Sequence, residues 1–437
     1  MVLYTPGQSS LYPSDPVEKG LQFHFLGGAD EVGNVGCILE DQSGTRLLFD
    51  YGLAPSKPPR YPGEAPSIDD VLLTHAHIDH IGMAPWMASN HGSNLHGTAL
   101  VAGLSEMMWK DTYKISKIEG YPLPWDRRDI DEALAAWITH PMREKFSVQD
   151  WDIEYHFAGH VPGAVMMELE TADRKVLFTG DMDTRDSPTT IGAKAVKADV
   201  LFMEATYAGR EHPSKEEEQQ RLVNSVIETV ENGGTALIPT FANGRCQDVI
   251  SLLHESGLDL EVHFDGMGKV ITKIMLEHPE LLATPAKLDS AFRWTRRVSS
   301  KSDRKKALEA DVIVTTSGML DGGPALWYLN RLRHDERNSI FLTGYQAEGS
   351  GGHRLLESGA LPIFGRMTEI GLPIEQFDLS NHAGHSELMQ FALETEAEEV
   401  ILYHSDPTTN RPELADALSA QGINVHQPLN GETHVIE

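Results

Sequence analysis

Cysteine is nearly absent from this sequence: Cys37 and Cys246 are the only two in 437 residues. Far apart and without secretory features around them, they point to neither a disulfide framework nor a cysteine zinc site, so any metal has to rely on histidine and carboxylate. Basic residues are scarce as well, 36 against 65 acidic, giving a formal charge of -29 spread along the chain. A surface kept hydrated in a salty, halophilic cytosol and a surface made for a basic partner both account for that excess, and the first is the expectation. The charge opposes nucleic acid in dilute buffer, yet at molar salt the Debye length falls to roughly 3 Å, so bulk charge does not exclude RNA. Long apolar runs are missing. Nothing approaches the roughly 18 to 20 consecutive apolar residues of a membrane helix, and Met1 to Pro16 lacks the regions of a signal peptide. A cytoplasmic protein without a membrane partner is expected. Repeats and low-complexity linkers are missing too, so domain boundaries must come from motifs. What is present, 40% hydrophobic residues in a long chain, suits a large globular enzyme of two or three domains.

Short apolar, β-branched runs recur at Leu47 to Phe49, Val71 to Leu73, Val176 to Phe178, Leu201 to Met203, Ala236 to Ile238, Val312 to Val314, Ile340 to Leu342 and Val400 to Leu402. They read as buried strands. Helical segments lie between several of them, the clearest opening at Ser214 with Glu217 three places on and stopping at Gly233-Gly234. The fold class is α/β. Chemistry-bearing residues stand where the runs end: Asp50, His75, Asp181, Glu204 and His404. In an α/β layer, groups at the carboxyl ends of neighbouring strands converge.

After Thr74, the stretch His75 to His80 packs three histidines and an aspartate into six positions. Period two after a strand puts His75 and His77 on one side, and the following turn can aim Asp79 and His80 at a neighbouring point. Imidazole nitrogen and carboxylate oxygen are zinc ligands at about 2.0 to 2.2 Å. So many in so short a space suit two ions roughly 3.5 to 4 Å apart.

His-x-His-x-Asp-His resembles the signature of the metallo-β-lactamase superfamily, and further motifs of that superfamily follow in order. Asp50 in Leu48 to Gly52 is similar to the first motif, His160 in Gly159 to Ala164 to the third, and Asp181 in Thr179-Gly180-Asp181 to the fourth. The resemblance implies one zinc on His75, His77 and His160, and a second on Asp79, His80 and a later histidine, with Asp181 bridging and Asp50 orienting ligands. Manganese is the alternative ion.

From Glu204 onward the resemblance narrows to the β-CASP nucleases and covers nearly the whole chain. Met203 to Tyr207 is similar to motif A, although Ala205 stands where many members carry serine. Pro239 to Arg245, Thr316 to Leu320 and Thr343 to Gly349 are similar to stretches of the inserted domain. His385 in Ala383-Gly384-His385-Ser386 resembles motif B. His382 stands three residues earlier, but Ala383-Gly384 fits ahead of His385, which is therefore favoured. His404 resembles motif C, where histidine goes with the RNA-processing branch and valine with DNA repair. Glu387 and Ser405-Asp406 depart from the usual Asp and Gly-Glu while keeping a carboxylate.

The resemblance implies a four-layer αββα metallo-β-lactamase sandwich with an inserted α/β β-CASP domain: 1–206 and 373–437 for the sandwich, 207–372 for the insert, with the active site in the cleft between. It implies a two-zinc ribonuclease acting on single-stranded RNA, with hydroxide as nucleophile and His385 as general acid oriented by Glu204. Endonuclease and 5′-to-3′ exonuclease action are both open. A DNA nuclease of the same fold and a non-catalytic scaffold subunit are the alternatives, and a homodimer is an expectation by analogy. Backbone and hydroxyl groups of Ser317-Gly318, with Arg245, offer phosphate contacts. The stretch Arg293 to Lys306 holds seven basic residues in fourteen, with Trp294 inside it and Phe292 just before it, which puts Arg296 and Arg297 forward as RNA contacts against the reading of a solvated hairpin.

Overall fold

Strands whose apolar residues run without interruption are buried on both faces. In Val200–Glu204, Val200 and Phe202 enter a core with Phe23, Phe49, Phe178 and Tyr403, while Leu201 and Met203 enter another with Leu388, Phe391 and Leu414. The period of two thus serves two interiors at once. The computed structural model describes Tyr12, Val17 and residues 19–56, 58–409 and 411–437. Residues 1–16, read above for a signal, lie outside these except for Tyr12.

The described residues divide into two compact units. Met1–Arg185, Ile191–Glu211 and His382–Glu437 form the first, Asp186–Thr190 and His212–Asn381 the second. In the first unit, one seven-stranded sheet runs Thr433–Ile436, Leu21–Gly27, Gly36–Asp41, Arg46–Phe49, Asp70–Leu72, Asn94–Gly97, Trp137–Thr139. The other runs Asn424–His426, Glu399–Tyr403, Val200–Glu204, Lys175–Phe178, Val165–Glu170, Trp151–Phe157, Lys145–Val148. The sheets face each other through rings such as Phe23 on Phe202 and Phe49 on Phe178, with centroids 5.3 and 5.0 Å apart. Each fully buried phenylalanine contributes about 1.5–3 kcal/mol. Helices His385–Thr395 and Arg411–Ser419 cover the outer face of the second sheet. Helices Ala84–His91 and Ala99–Glu119 pack on the first sheet at Asn94–Gly97 and Trp137–Thr139. The layer order is helix, sheet, sheet, helix.

One contact in this unit bears directly on the histidine cluster. Trp109, fully buried in the helix Ala99–Glu119, donates its indole N–H to Ile81 O at 2.8 Å, which ties that helix to the short helix Ile78–Ile81.

The second unit has a six-stranded, all-parallel sheet in the order Arg296–Arg297, Val262–Phe264, Val312–Thr315, Ala236–Pro239, Ser339–Leu342, Ile374–Gln376. Ser214 caps its helix Lys215–Glu231 as read from the sequence, its hydroxyl accepting from Glu217 N–H. A separate hairpin, Ala360–Ile363 with Arg366–Glu369, completes it. Both cysteines are buried and free. No described helix is long and apolar enough to cross a membrane.

Candidate metal centre

Chain ends of five first-unit strands deliver the candidate residues. His75 follows Asp70–Leu72, His160 follows Trp151–Phe157, Asp181 follows Lys175–Phe178, Glu204 ends Val200–Glu204 and His404 follows Glu399–Tyr403. His77 precedes the helix Ile78–Ile81, which carries Asp79 and His80. Two glycines make this geometry attainable. A Cβ on Gly52 would stand 1.6 Å from Asp79 O, and one on Gly159, at φ +77°, would stand 1.9 Å from Asp183 O.

Among the described residues, ligand atoms gather in two adjoining groups, His75, His77, His160 with Asp181, and Asp79, His80 with His404. His77 Nδ1 and His160 Nε2 are 3.1 Å apart. Asp181 Oδ2 lies 3.7 Å from His75 Nε2, 3.7 Å from His160 Nε2 and 3.3 Å from His80 Nε2, while its Oδ1 lies 3.3 Å from His404 Nδ1. His404 Nε2 is 3.9 Å from Asp79 Oδ2. Two ligands about 2.0–2.1 Å from a tetrahedral ion stand about 3.4 Å from each other, so the spacings made by the Nε2 atoms match shared ions, the His404 Nδ1 contact being set apart because that atom faces the Thr206 hydroxyl.

The tautomers agree. Asp50 accepts His80 Nδ1–H at 2.7 Å, and also the N–H and hydroxyl of Thr74 at 2.8 Å each. The Thr74 oxygen faces His75 Nδ1 at 3.1 Å. Thr206 donates its hydroxyl to His404 O at 3.2 Å, and its oxygen faces His404 Nδ1 at 3.0 Å. With each Nδ1 proton taken up behind the ring, Nε2 presents a lone pair to the centre. Buried Nε2 atoms of His75, His80 and His404 and Oδ1 of Asp181 indeed have no hydrogen-bond partner. Such atoms are costly unless something else satisfies them, and a divalent cation does.

The electrostatics are those of a cation site. Burial holds the His75 imidazole far below its ordinary pKa, with His80 and His77 adding to the effect. Burial would raise the Asp181 carboxyl, but His404, His80 and His382 hold it well below the usual range. Burial likewise works against His80, and the carboxylates of Asp181 and Asp50 override it, raising that ring well above its usual value.

Glu204 supplies a correction. Its expected partner was His385, but the ring it holds is that of His382, whose Nδ1 is 2.8 Å from Glu204 Oε1 and whose Nε2 is 4.0 Å from Asp181 Oδ2. Burial would lower the His382 pKa, but Glu204 outweighs it and the value rises to about 9. His385 is the first residue of the helix His385–Thr395, and its Nδ1 accepts from Gly209 N–H at 3.0 Å. The reason is local. Glu387 reaches back to Gly384 N–H at 2.7 Å and so starts the helix at His385, leaving His382 in the preceding loop, free to turn inward. The Gly-x-x-Glu spacing is the sequence signal that separates the two histidines. Sequence reading also missed Thr74 and Thr206, whose role is visible only once the rings are placed.

The proposed substrate contacts lie in the second unit. Arg245 opens the helix Arg245–Glu255, buried beside Lys215 and Asp248. Ser317 and Gly318 follow the strand Val312–Thr315, and the buried Ser317 Oγ has no hydrogen-bond partner. Arg296 and Arg297 are exposed on an edge strand; Arg296 pairs with Glu261 at 3.0 Å, and Arg297 stacks over Phe292 at 5.0 Å. Arg293 and Arg304 of the same basic stretch pair with Asp289 and Asp265, so the positive charge is partly neutralised locally.

Paired seven-stranded sheets between helices, with a histidine-carboxylate centre at the strand ends, define a metallo-β-lactamase sandwich, and residues 30–227 match the family described as Metallo-beta-lactamase superfamily. Residues 247–355 match the Beta-Casp domain. The chain is 32% identical over 400 residues to a probable RNase MJ4 of Methanocaldococcus jannaschii, covering 88% of this chain and 93% of the relative. It is 32% identical over 419 residues to RNase aCSPSF2 of Saccharolobus solfataricus, covering 93% and 84%. A third relative, transcription termination factor FttA of Methanocaldococcus jannaschii, is 31% identical over 426 residues, covering 88% and 67%. A crystal structure of a protein of unknown function from Enterococcus faecalis shares the fold, with a TM-score of 0.60 at 14% identity over 95% of this chain and 100% of that one. The chain belongs to the β-CASP family of the metallo-β-lactamase superfamily, a fold that implies divalent metal binding.

Proposed function

We propose that the chain is a metal-dependent ribonuclease that hydrolyses phosphodiester bonds of single-stranded RNA, using two zinc or manganese ions held by His75, His77, Asp79, His80, His160, Asp181 and His404. The convergence of unpartnered buried Nε2 atoms on Asp181 carries this reading, and the names of the ribonuclease relatives support RNA as the substrate. Bound divalent ions supply Lewis-acid polarisation of the phosphate and a water of lowered pKa. The protein's own groups set the geometry. Asp50, Thr74 and Thr206 fix ring orientation, and Asp181 stands between the two ligand groups. Glu204 accepts the Nδ1 proton of His382, so its Nε2 faces the centre, placed to give a proton to the departing 3′ oxygen.

In the second unit, Ser317 and the Gly318 backbone are the proposed phosphate contacts, with Arg245, at the start of the helix Arg245–Glu255, as a further one. Of the two exposed arginines, Arg297 is the better placed to stack on a base, because Glu261 engages Arg296. The test is incubation of the zinc- or manganese-loaded protein, at high salt, with 5′-labelled RNA bearing a monophosphate or a triphosphate and with DNA of the same sequence. RNA cleavage without DNA cleavage supports the reading: mononucleotide release from the monophosphate substrate marks an exonuclease, and internal fragments from both mark an endonuclease. Equal cleavage of DNA moves the assignment to a DNA nuclease, and no cleavage by a metal-loaded protein moves it to a scaffold.

A further inference from the structure

Arg411 is among the largest side chains without access to solvent, 1% exposed, and it carries a charge. Burying a guanidinium is costly, and an apolar side chain of similar size commonly does as well or better for stability, so its role lies elsewhere. Its Nη1 donates to Ala29 O at 2.5 Å and to Leu402 O at 3.3 Å. Ala29 follows the first-sheet strand Leu21–Gly27, whereas Leu402 lies in the second-sheet strand Glu399–Tyr403. One group thus joins the two sheets at the point where that strand hands over to His404.

The same two stretches meet again beside it. His404 N–H donates to Gly28 O at 2.6 Å, and a third stretch holds the loop as Ala29 N–H donates to Asn430 Oδ1 at 2.9 Å. His404 itself has φ +56°, a left-handed conformation that a residue with a Cβ keeps only when its surroundings hold it there. Release of the Ala29 and Leu402 carbonyls would let the Gly28 loop and the strand end part, and the His404 ring would swing with them.

We infer that Arg411 is a positioning residue for His404: by clamping Ala29 O and Leu402 O it holds the ring where Nε2 can meet a cation shared with Asp79 and His80. The inference rests on the two-ion reading above. The chain is stripped with chelator, reloaded with zinc and dialysed, and the zinc is counted by elemental analysis; thermal unfolding is followed separately in chelator. Wild type is expected to hold two ions. Arg411→Met is expected to hold about one and, without metal, to melt at or above the wild-type temperature. Arg411→Lys, which keeps the charge but is shorter and lacks the rigid guanidinium plane that aims Nη1 at both carbonyls, is expected to bind its second zinc at least tenfold more weakly than wild type.

A purely structural arginine would lower the metal-free melting temperature and leave both ions in place. Two ions of wild-type affinity in Arg411→Met overturn the inference, and so does failure of both variants to fold. Fewer than two ions in wild type would instead remove the two-ion reading, and this inference with it.

Discussion

The carboxylate of Asp50 accepts three hydrogen bonds, two from Thr74 and one from His80, and touches no candidate ligand atom facing the centre. Asp50→Ala leaves three buried donors unpaired, each worth about 1–3 kcal/mol, and lets the His80 ring turn. Such a loss behind a ligand typically costs about 10- to 100-fold in metal affinity, which isothermal titration with zinc would measure. His382 and His385 offer a sharper contrast. His382→Ala is expected to lower kcat by roughly 10²- to 10⁴-fold with KM little changed, and His385→Ala to stay within about tenfold of wild type. Steady-state cleavage of one RNA oligonucleotide checks both, and the reverse order would restore His385 to the role read from sequence. The cluster of candidate ligands could be read in the sequence because His75 to His80 are neighbours on a strand and turn, where local spacing alone sets direction. His382 could not, because two histidines three residues apart are separated only by where a helix begins. Thr74 and Thr206 are ordinary residues until folding sets them behind the rings.

At the level of strands and turns, the apolar runs announced themselves because both of their faces are buried, and the termini of Lys175–Phe178, Val200–Glu204 and Glu399–Tyr403 carry the residues expected there. Their order in the sheets did not show, since Val200–Glu204 pairs with a strand from residue 399 onward that no local pattern links to it. The turn at Gly52 is where one methyl group matters most. Gly52→Ala would drive a Cβ into Asp79 O, so the helix Ile78–Ile81 must shift. Such overpacking costs about 1–3 kcal/mol in a denaturant titration and should weaken zinc binding with it.

His24, in the strand Leu21–Gly27, is fully buried with its Nε2 unpartnered, and burial followed by His434 lowers its pKa to about 4. A folded-state pKa below the unfolded one means stability is whole above about pH 6.5 and declines as pH falls toward 4. The limit is about 1.4 kcal/mol per pH unit. His24→Gln is expected to flatten that decline in urea titrations between these limits, and an unchanged slope would contradict the assignment.

For the molecule as a whole, a formal charge of -29 means self-repulsion that salt relieves. The melting temperature is expected to rise steadily from low to molar potassium chloride, and a flat or falling curve would refute adaptation to a salty cytosol. RNA affinity is expected to be lost less steeply with salt than for a basic nuclease, because the positive stretch Arg293 to Lys306 is partly paired with Asp289, Glu261 and Asp265. Part of that neutralisation was invisible in the sequence: Asp289 stands four residues before Arg293, but Glu261 and Asp265 are distant from Arg296 and Arg304.

We propose that side chains from distant parts of the chain hold two neighbouring divalent ions. Elemental analysis of the purified wild-type chain, loaded with zinc and dialysed, tests it most directly: about two ions per chain are expected, falling below one in Asp181→Ala. A wild type that retains none, or an Asp181→Ala variant that retains both, would contradict it.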